Sequence, residues 1–341
     1  MNYRSVSDLN DAIARNIGRL PDDIDLVVGV PRSGLLAANL YALITNVSMT
    51  DLAGFTAGRL LSVGRTRAVR GDGARPRRVL VIDDSINGGA SLRAARAEVA
   101  EAGLTEACVF CAVFGADRTH PEADIVLERV PRPRLFQWNA FHHKHLEHAC
   151  VSMDGVLHRD LEPDDEEGYA RFLADAAPLQ RPSVPVGHVV SGFSERLRPQ
   201  AEAWLQRQGI RYGALHMLGS AGEGRRAPVD AKAALYRATP TALFVEGEPD
   251  RAERIARDAG KPVLCTQTQF LYSSTAYSPA AIAQRVRNTP LRLRMANSPL
   301  VSASSAKAVV RGLIGERRVR ALKRLVHRPA RALELSEGNE R

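Results

Sequence analysis

Two adjacent carboxylates followed by a glycine-containing loop are the first residues whose types and spacing could do chemistry. Asp83 and Asp84 end an apolar run, and Gly88 and Gly89 precede a helix predicted to begin at about Ser91. Glycines let backbone N–H groups turn inward, and with a helix N-terminus they form an anion site that suits a phosphate monoester. Carboxylates would repel a phosphate, but they accept hydrogen bonds from hydroxyls. The pattern therefore predicts a site for a sugar phosphate with a vicinal diol, such as ribose 5-phosphate.

A second polar turn, Pro-Arg-Ser-Gly at residues 31–34, also follows an apolar run and precedes a helix-like segment. Together the two stretches resemble the type I phosphoribosyltransferases, which use 5-phosphoribosyl 1-diphosphate (PRPP). The resemblance implies that Asp83 and Asp84 hold the ribose hydroxyls and that Arg32 acts with them in catalysis. It also implies a diphosphate site and a 5-phosphate loop. The diphosphate site would comprise Arg32, Ser33 and Gly34, and the 5-phosphate loop Ser85, Ile86, Asn87, Gly88, Gly89, Ala90 and Ser91.

Glycosyl transfer from PRPP builds negative charge on the departing diphosphate, so fixed donors around it lower the barrier. By resemblance, Mg²⁺ is the cofactor and a loop within the arginine-rich stretch 58–78 closes over the substrate. Gly88 and Ala90 depart from the family pattern, which often has Thr or Gly there, so Ser85, Asn87 and Ser91 must share the phosphate contacts. The alternative interpretation is a strand-to-helix turn with capping acids.

The second half contains a stretch that resembles the first motif of the haloacid dehalogenase (HAD) superfamily of phosphohydrolases. Asp154 and Gly155 match that motif, but Ser152 stands where the nucleophilic Asp belongs. Later elements fit in order, with Ser191 as phosphate-binding hydroxyl and Lys232 as charge-neutralising lysine. The resemblance implies a magnesium site whose ligands would be Asp154, Glu246 and Glu248, near Asp250. About 34 residues separate the first two motifs, which leaves little room for a cap.

Serine at position 152 removes both an attacking carboxylate and a metal ligand, and no base lies beside it in the motif. We therefore expect phosphatase activity to be weak or absent and the HAD-like site to consist of Ser152, Asp154, Ser191 and Lys232 on a retained scaffold.

The two motifs can form one site only if the fold brings the ends of the strands before them together, as a parallel sheet does. Short apolar runs alternate with longer helix-like segments in both halves, which predicts an α/β protein with two doubly wound parallel sheets. The predicted strands are 24–30, 79–82, 107–114, 149–153, 186–190, 212–218, 242–245 and 262–264, and two predicted helices are 34–44 and 91–102. We expect a phosphoribosyltransferase domain at 1–140, a HAD-like domain at 141–270 and a basic segment at 271–341.

Composition narrows the class of protein further. The chain has 341 residues, 47 Lys and Arg against 38 Asp and Glu, and a net charge of +9. Apolar runs are too short for a membrane span, and the four cysteines suit a reducing compartment, so we expect a cytoplasmic protein. Basic and apolar residues alternate at helical spacing within 311–331, which predicts an amphipathic helix. Such a helix binds anionic membranes or nucleic acid, or packs on its own protein.

Fusion of a PRPP site to a phosphatase-like fold resembles systems that place ribofuranose on bacterial glycans. We therefore expect transfer of a 5-phosphoribosyl group, with inversion, to a saccharide hydroxyl in polysaccharide biosynthesis. Nucleobase salvage is the first alternative. A PRPP-sensing regulator that binds nucleic acid is the second, although no helix-turn-helix or zinc module supports it. The sequence identifies neither the general base nor the oligomeric state.

Overall fold

The computed structural model describes residues 1–61, 78–160, 166–220 and 229–273. Met1–Ser274 forms one compact unit. Most of the arginine-rich stretch and the whole segment 311–331, for which an amphipathic helix was predicted, lie outside the described residues. Among the helices of the described ranges, none has the length and apolar character needed to cross a membrane. The predicted domain boundaries at 140 and 270 stay predictions.

The first half of the chain alternates strands and helices. Its elements are β1 (Asn2–Arg4), α1 (Val6–Asn16), β2 (Leu26–Gly29), α2 (Gly34–Thr45), β3 (Ser48–Asp51), α3 (Leu52–Thr56), β4 (Val79–Ile86), α4 (Ala90–Glu101), β5 (Cys108–Gly115), β6 (Ile125–Arg129) and β7 (Arg134–Phe136). Helix α1 begins at a capping box in which Ser5 and Asp8 bond each other's backbone N–H. This arrangement satisfies two donors that a helix start leaves unpaired.

The second half repeats the alternation after two 3-10 turns, Gln137–His142 and Lys144–His148. Its elements are β8 (Ala149–Ser152), α5 (Glu166–Asp175), β9 (Val186–Ser194), α6 (Arg198–Arg207), β10 (Tyr212–Gly219), α7 (Val229–Ala238), β11 (Leu243–Glu246), α8 (Pro249–Ala259), β12 (Val263–Cys265) and β13 (Phe270–Tyr272). All eight predicted strands are present.

Two sheets organise these elements. The first has the order β3-β2-β4-β5-β6 and is parallel throughout, and the second has the order β10-β9-β8-β11-β12-β13, in which only β13 is antiparallel. A short parallel pair, β1 with β7, lies apart from both. The predicted α/β class with parallel sheets is confirmed.

Burial on both faces explains why the strands are continuous apolar runs. Along β4, Leu80 and Ile82 join the core under α1 and α2, whereas Val79 and Val81 join the core under α3 and α4. Successive strand residues point to opposite faces, so a sheet covered by helices on both sides needs apolar residues at every position.

Strand β4 is longer than the sequence indicated. We predicted its end at Ile82, but it continues to Ile86 because Ser85 and Ile86 pair with Phe114 and Gly115 of β5. Helix α4 correspondingly begins at Ala90, one residue earlier than expected. The loop between them is therefore only Asn87, Gly88 and Gly89.

Candidate active sites at two topological switch points

The first candidate site lies where the first sheet reverses its strand order. The chain runs from β2 outward to β3 and then returns to β4 on the other side of β2. In open α/β sheets, ligands bind outside the carboxyl ends of the strands at such a switch point. Strand β2 leads into the turn at 31–34, and β4 carries Asp83 and Asp84. The fold thus brings both sequence motifs to one place.

The two motifs touch. Val30 N–H donates to the carbonyl of Ile82 at 3.0 Å. Gly34 lies so close to β4 that a Cβ on it would be 2.8 Å from Ile82 O and 3.0 Å from Asp83 Oδ1. Glycine is therefore required by close approach, and the turn after β2 is packed directly against the acids of β4.

The acid pair is buried, with Asp83 7% and Asp84 3% exposed. Asp84 N–H donates to Asp83 Oδ1 at 2.9 Å, and Trp138 Nε1–H donates to Asp84 Oδ2 at 2.8 Å. The pKa of the Asp83 carboxyl is raised to about 8, mainly by burial and to a smaller extent by the neighbouring charge of Asp84. The raised pKa favours the protonated acid, and a ligand that donates hydrogen bonds to Asp83 would favour its ionised form.

The loop after β4 is shaped by Gly89, whose φ of 78° is the left-handed conformation that glycine tolerates. A Cβ there would lie 2.5 Å from His120 Cε1 and 2.7 Å from Glu122 Cγ, whereas one on Gly88 would meet nothing within 4 Å. The remaining predicted phosphate ligands divide between elements, since Ser85 and Ile86 lie in β4 and Ala90 and Ser91 begin α4. Their role in binding a phosphate stays a prediction.

The turn at 31–34 presents Arg32 and the start of α2. Arg32 is exposed, follows a cis peptide bond from Pro31, and donates to Asn139 Oδ1. Ser33 occupies the N-cap of α2 without a side-chain cap bond. The start of this twelve-residue helix therefore lies against Asp83, and the first backbone N–H groups of a helix can hold an anion.

Sequence reasoning missed the segment after β6, which reaches this site from the other side. Trp138 and Asn139 contact Asp84 and Arg32, and Arg132 Nε donates to Asn87 Oδ1 at 2.8 Å. The sequence did contain a signal for this segment. Large side chains occur at every second position, as is typical of one face of a strand, namely Arg132, Arg134, Phe136 and Trp138.

The second candidate site lies at the corresponding switch point of the second sheet, between β8 and β11. Ser152 ends β8 and its hydroxyl donates to Glu246 Oε2, at the end of β11, at 2.7 Å. Lys232 Nζ, from α7, donates to both Ser152 Oγ and Glu246 Oε2 at 2.8 Å. Ser152 and Glu246 are fully buried and Lys232 is 5% exposed. Three of the predicted residues therefore form one closed ion-pair cluster.

Asp154 belongs to an adjoining network. Its Oδ2 accepts from Gly192 N–H at 2.8 Å and from the Ser191 hydroxyl at 3.3 Å, and its Oδ1 accepts from Tyr169 O–H at 2.8 Å. His158 Nε2 lies 3.0 Å from that tyrosine oxygen. Tyr169 was not predicted, because nothing in its local sequence separates it from an ordinary core residue of an amphipathic helix.

The residues predicted to bind Mg²⁺ do not fit the ion in this arrangement. Glu248 caps α8 by accepting from the backbone N–H groups of Asp250 and Arg251. Arg251 Nε lies 3.6 Å from Glu246 Oε1, so Glu246 has cationic neighbours on both oxygens. Within the described ranges, no three His, Cys, Asp or Glu side chains are grouped as a metal site. Asp154, Glu246 and Glu248 instead bond to protein donors.

Comparisons with known proteins give a partial likeness. No protein-family profile matches the sequence, and no curated protein matches it. A purine phosphoribosyltransferase from Pyrococcus horikoshii Ot3 is similar in structure at 19% identity and a TM-score of 0.28, over 40% of this chain and 95% of that one. The xanthine-guanine-hypoxanthine phosphoribosyltransferase of Helicobacter pylori is similar at 15% identity and a TM-score of 0.28, over 40% and 91%. Likeness at this level does not define a substrate.

Proposed function

We propose that the chain is a PRPP-dependent phosphoribosyltransferase. The observation that carries the proposal is the contact of the two motifs, in which the turn at Gly34 packs against Asp83 at the switch point of the first sheet. In this proposal, the turn before α2 and the loop before α4 bind anions on either side of a buried pair of acids, which matches a sugar that carries phosphate at one end and diphosphate at the other.

In this proposal each part of the substrate has its own partner. The 5-phosphate binds the residues from Ser85 to Ser91, the ribose hydroxyls donate to Asp83 and Asp84, and the diphosphate lies against Arg32, Ser33 and Gly34. Mg²⁺ enters as part of the magnesium–PRPP substrate.

The transfer breaks the bond between C1 and the diphosphate oxygen while a new bond forms from an acceptor atom to C1 on the opposite face. The anomeric centre is inverted, and the proton that the acceptor loses passes to the departing diphosphate or to water. Positive charge builds on the sugar and negative charge on the diphosphate. Donors fixed at Arg32 and the start of α2 stabilise that charge more in the transition state than in the ground state.

A saccharide hydroxyl, in polysaccharide biosynthesis, is the acceptor we propose. A second parallel sheet with HAD-like residues at its switch point supports an acceptor whose product undergoes 5-phosphate chemistry, a step that nucleobase salvage does not need. A nitrogenous base is the second candidate, favoured by the half-buried Trp138 ring, which offers a flat surface beside Asp84. PRPP turnover against matched panels of nucleobases and oligosaccharides tests the choice: turnover with bases alone would exclude the saccharide.

For the second site we propose a HAD-like scaffold that does not hydrolyse phosphate efficiently. Ser152 is held between Lys232 and Glu246 by hydrogen bonds, and a serine supplies neither the carboxylate nucleophile nor the metal ligand that the HAD motif has at this position. A separate phosphatase would then complete the reaction. Phosphate release from the phosphoribosylated product, with and without an added phosphatase, tests this assignment.

For the basic segment at 311–331, we propose peripheral contact with an anionic membrane surface. Its charge and apolar spacing support this, since such helices lie at the interface of acidic lipids. Co-sedimentation of the full chain and of a chain ending at residue 310 with anionic and neutral vesicles tests it. Loss of salt-sensitive binding on truncation is the expected result.

A further inference from the structure

One short segment, Arg132–Asn139, contacts every part of the first candidate site, and we call it the seam segment because it leads from the first half of the chain to the second. Arg132 Nε donates to Asn87 Oδ1 in the loop after β4. Trp138 donates to Asp84, and Asn139 accepts from Arg32. The loop after β4, the acid pair and the turn at 31–34 therefore all contact the seam segment.

Within the seam segment the alternate residues Arg134, Phe136 and Trp138 are fixed by packing. The ring of Phe136 stacks on Phe114 with centroids 5.7 Å apart and on Trp138 with centroids 5.1 Å apart. The guanidinium of Arg134 donates to the carbonyls of Ile86 and, at 3.4 Å, Phe114. This stack holds the indole in one place beside the acid pair.

The indole N–H is directed at a buried carboxylate. Asp84 is 3% exposed, and the 2.8 Å bond from Trp138 Nε1 goes to its Oδ2. A carboxylate has about four acceptor positions in one plane, so a donor fixed at one of them sets the orientation of the others. Hydrogen bonds to charged groups are also stronger than neutral ones, especially where water is excluded.

We propose that Trp138 is a positioning residue of this site, whose indole N–H orients the Asp84 carboxylate to accept from a ribose hydroxyl. The inference rests on the proposed function. Because Trp138 belongs to the seam segment and not to either recognised motif, it also makes sugar binding depend on a part of the chain outside them.

The test is Trp138→Phe, which keeps an aromatic ring for the stack and removes only the N–H donor. Calorimetry would compare ribose 5-phosphate, magnesium–PRPP and pyrophosphate. Affinity for the two sugar ligands should fall about tenfold, the loss expected for one hydrogen bond to a charged group. Pyrophosphate, which has no ribose hydroxyl, should bind as it does to the wild type.

Trp204→Phe is the matched control, because the chain has only two tryptophans and Trp204 donates to Ala176 O, away from the first site. This control should bind all three ligands normally. Unchanged sugar affinity in Trp138→Phe would overturn the proposal, and so would an equal loss for all three ligands, which would indicate a purely structural role. Failure of the wild type to bind any sugar ligand would instead overturn the proposed function itself.

A second measurement does not depend on how Trp138→Phe folds. In Trp204→Phe, Trp138 is the remaining tryptophan, so its fluorescence reports on the first site alone. Addition of ribose 5-phosphate should shift that emission, and the shift should be lost when Asp84→Asn is added. A sugar-induced shift that persists in Asp84→Asn would contradict the coupling of Trp138 to Asp84.

Discussion

Gly34 and Asp83, separated by 48 intervening residues of sequence, meet so closely that a methyl group on the glycine would lie 3.0 Å from Asp83 Oδ1 and 3.1 Å from its Cα. The contact joins the end of β2 to the end of β4 at the switch point of the first sheet. It explains why both motifs are needed for one site, since the start of α2 and the acids of β4 form adjoining walls.

Gly34→Ala is expected to damage this junction. The added methyl group must displace β4 backbone as well as a side chain, and overpacking of this kind costs roughly 1–3 kcal/mol. Urea unfolding should show that loss of stability, and calorimetry should show weaker magnesium–PRPP binding. Gly18→Ala is the control, because a Cβ there meets nothing within 4 Å. Equal behaviour of the two variants would contradict the tight contact.

Asp83→Asn is expected to change how stability depends on pH. The folded-state pKa of Asp83 is raised from its ordinary value of 3.8 to about 8, so the unfolded chain ionises first and Asp83 favours unfolding as pH rises between those values. The melting temperature of the variant should therefore increase relative to the wild type from pH 4 to pH 8. Each kcal/mol corresponds to roughly 2–4 °C for a unit of this size. A difference that is independent of pH would contradict a buried, proton-binding Asp83.

Lys232→Met is expected to destabilise the second half of the chain strongly. It leaves the fully buried Glu246 without its closest cation, and breaking a buried pair in this way costs about 3–5 kcal/mol. Arg254→Met removes an ion pair with Asp230 that is largely exposed, which should cost at most about 1 kcal/mol. Urea unfolding measures the free energy of unfolding of both variants. A similar loss of stability in Lys232→Met and Arg254→Met would mean that Lys232 is not an essential partner of Glu246.

Wild-type protein is expected to leave the 5-phosphate on its product, because Ser152 is not the carboxylate nucleophile that the HAD motif has at this position and its hydroxyl is held by Glu246 and Lys232. Ser152→Ala should behave in the same way in a magnesium-containing phosphate-release assay. Ser152→Asp supplies the missing carboxylate and is the variant in which release should first be detected. Wild-type turnover at the usual enzymatic rate of about 1 to 10³ per second, abolished in Ser152→Ala, would show a working phosphatase.

Eight of the eleven strands in the two larger sheets were predicted, because parallel strands buried on both faces are continuous apolar runs. The edge strands β3 and β6 and the three-residue strands β1, β7 and β13 were not, since they are short or include charged and polar residues. The pairing of β1 with β7 joins residues some 130 positions apart. The end of β4 was predicted too early because Asp83 and Asp84 look like the start of a loop, yet backbone pairing with β5 continues past them.

The candidate sites were also predicted only in part. Both recognised motifs lie where strand ends meet, a consequence of parallel topology that the sequence could indicate. Trp138 was missed because its role depends on a contact with Asp84, which is 54 positions away in the sequence and is brought near only by the fold. Glu248 was assigned to a metal from its position in the HAD-like motif order, whereas in the structure its side chain caps α8 by accepting from the backbone N–H groups of Asp250 and Arg251.

Binding of magnesium–PRPP to the wild type and to the double variant Asp83→Asn/Asp84→Asn is the most direct test of the proposed function. Asparagine keeps the size of each side chain but replaces one accepting oxygen with an amide donor, so the ribose hydroxyls lose partners in a buried site. Isothermal titration calorimetry should give saturable binding to the wild type and at least a hundredfold weaker binding to the double variant, roughly the loss of two such hydrogen bonds. Circular dichroism should show the same secondary structure in both proteins. Wild-type affinity in the folded double variant would contradict the assignment of Asp83 and Asp84 as the residues that hold the ribose.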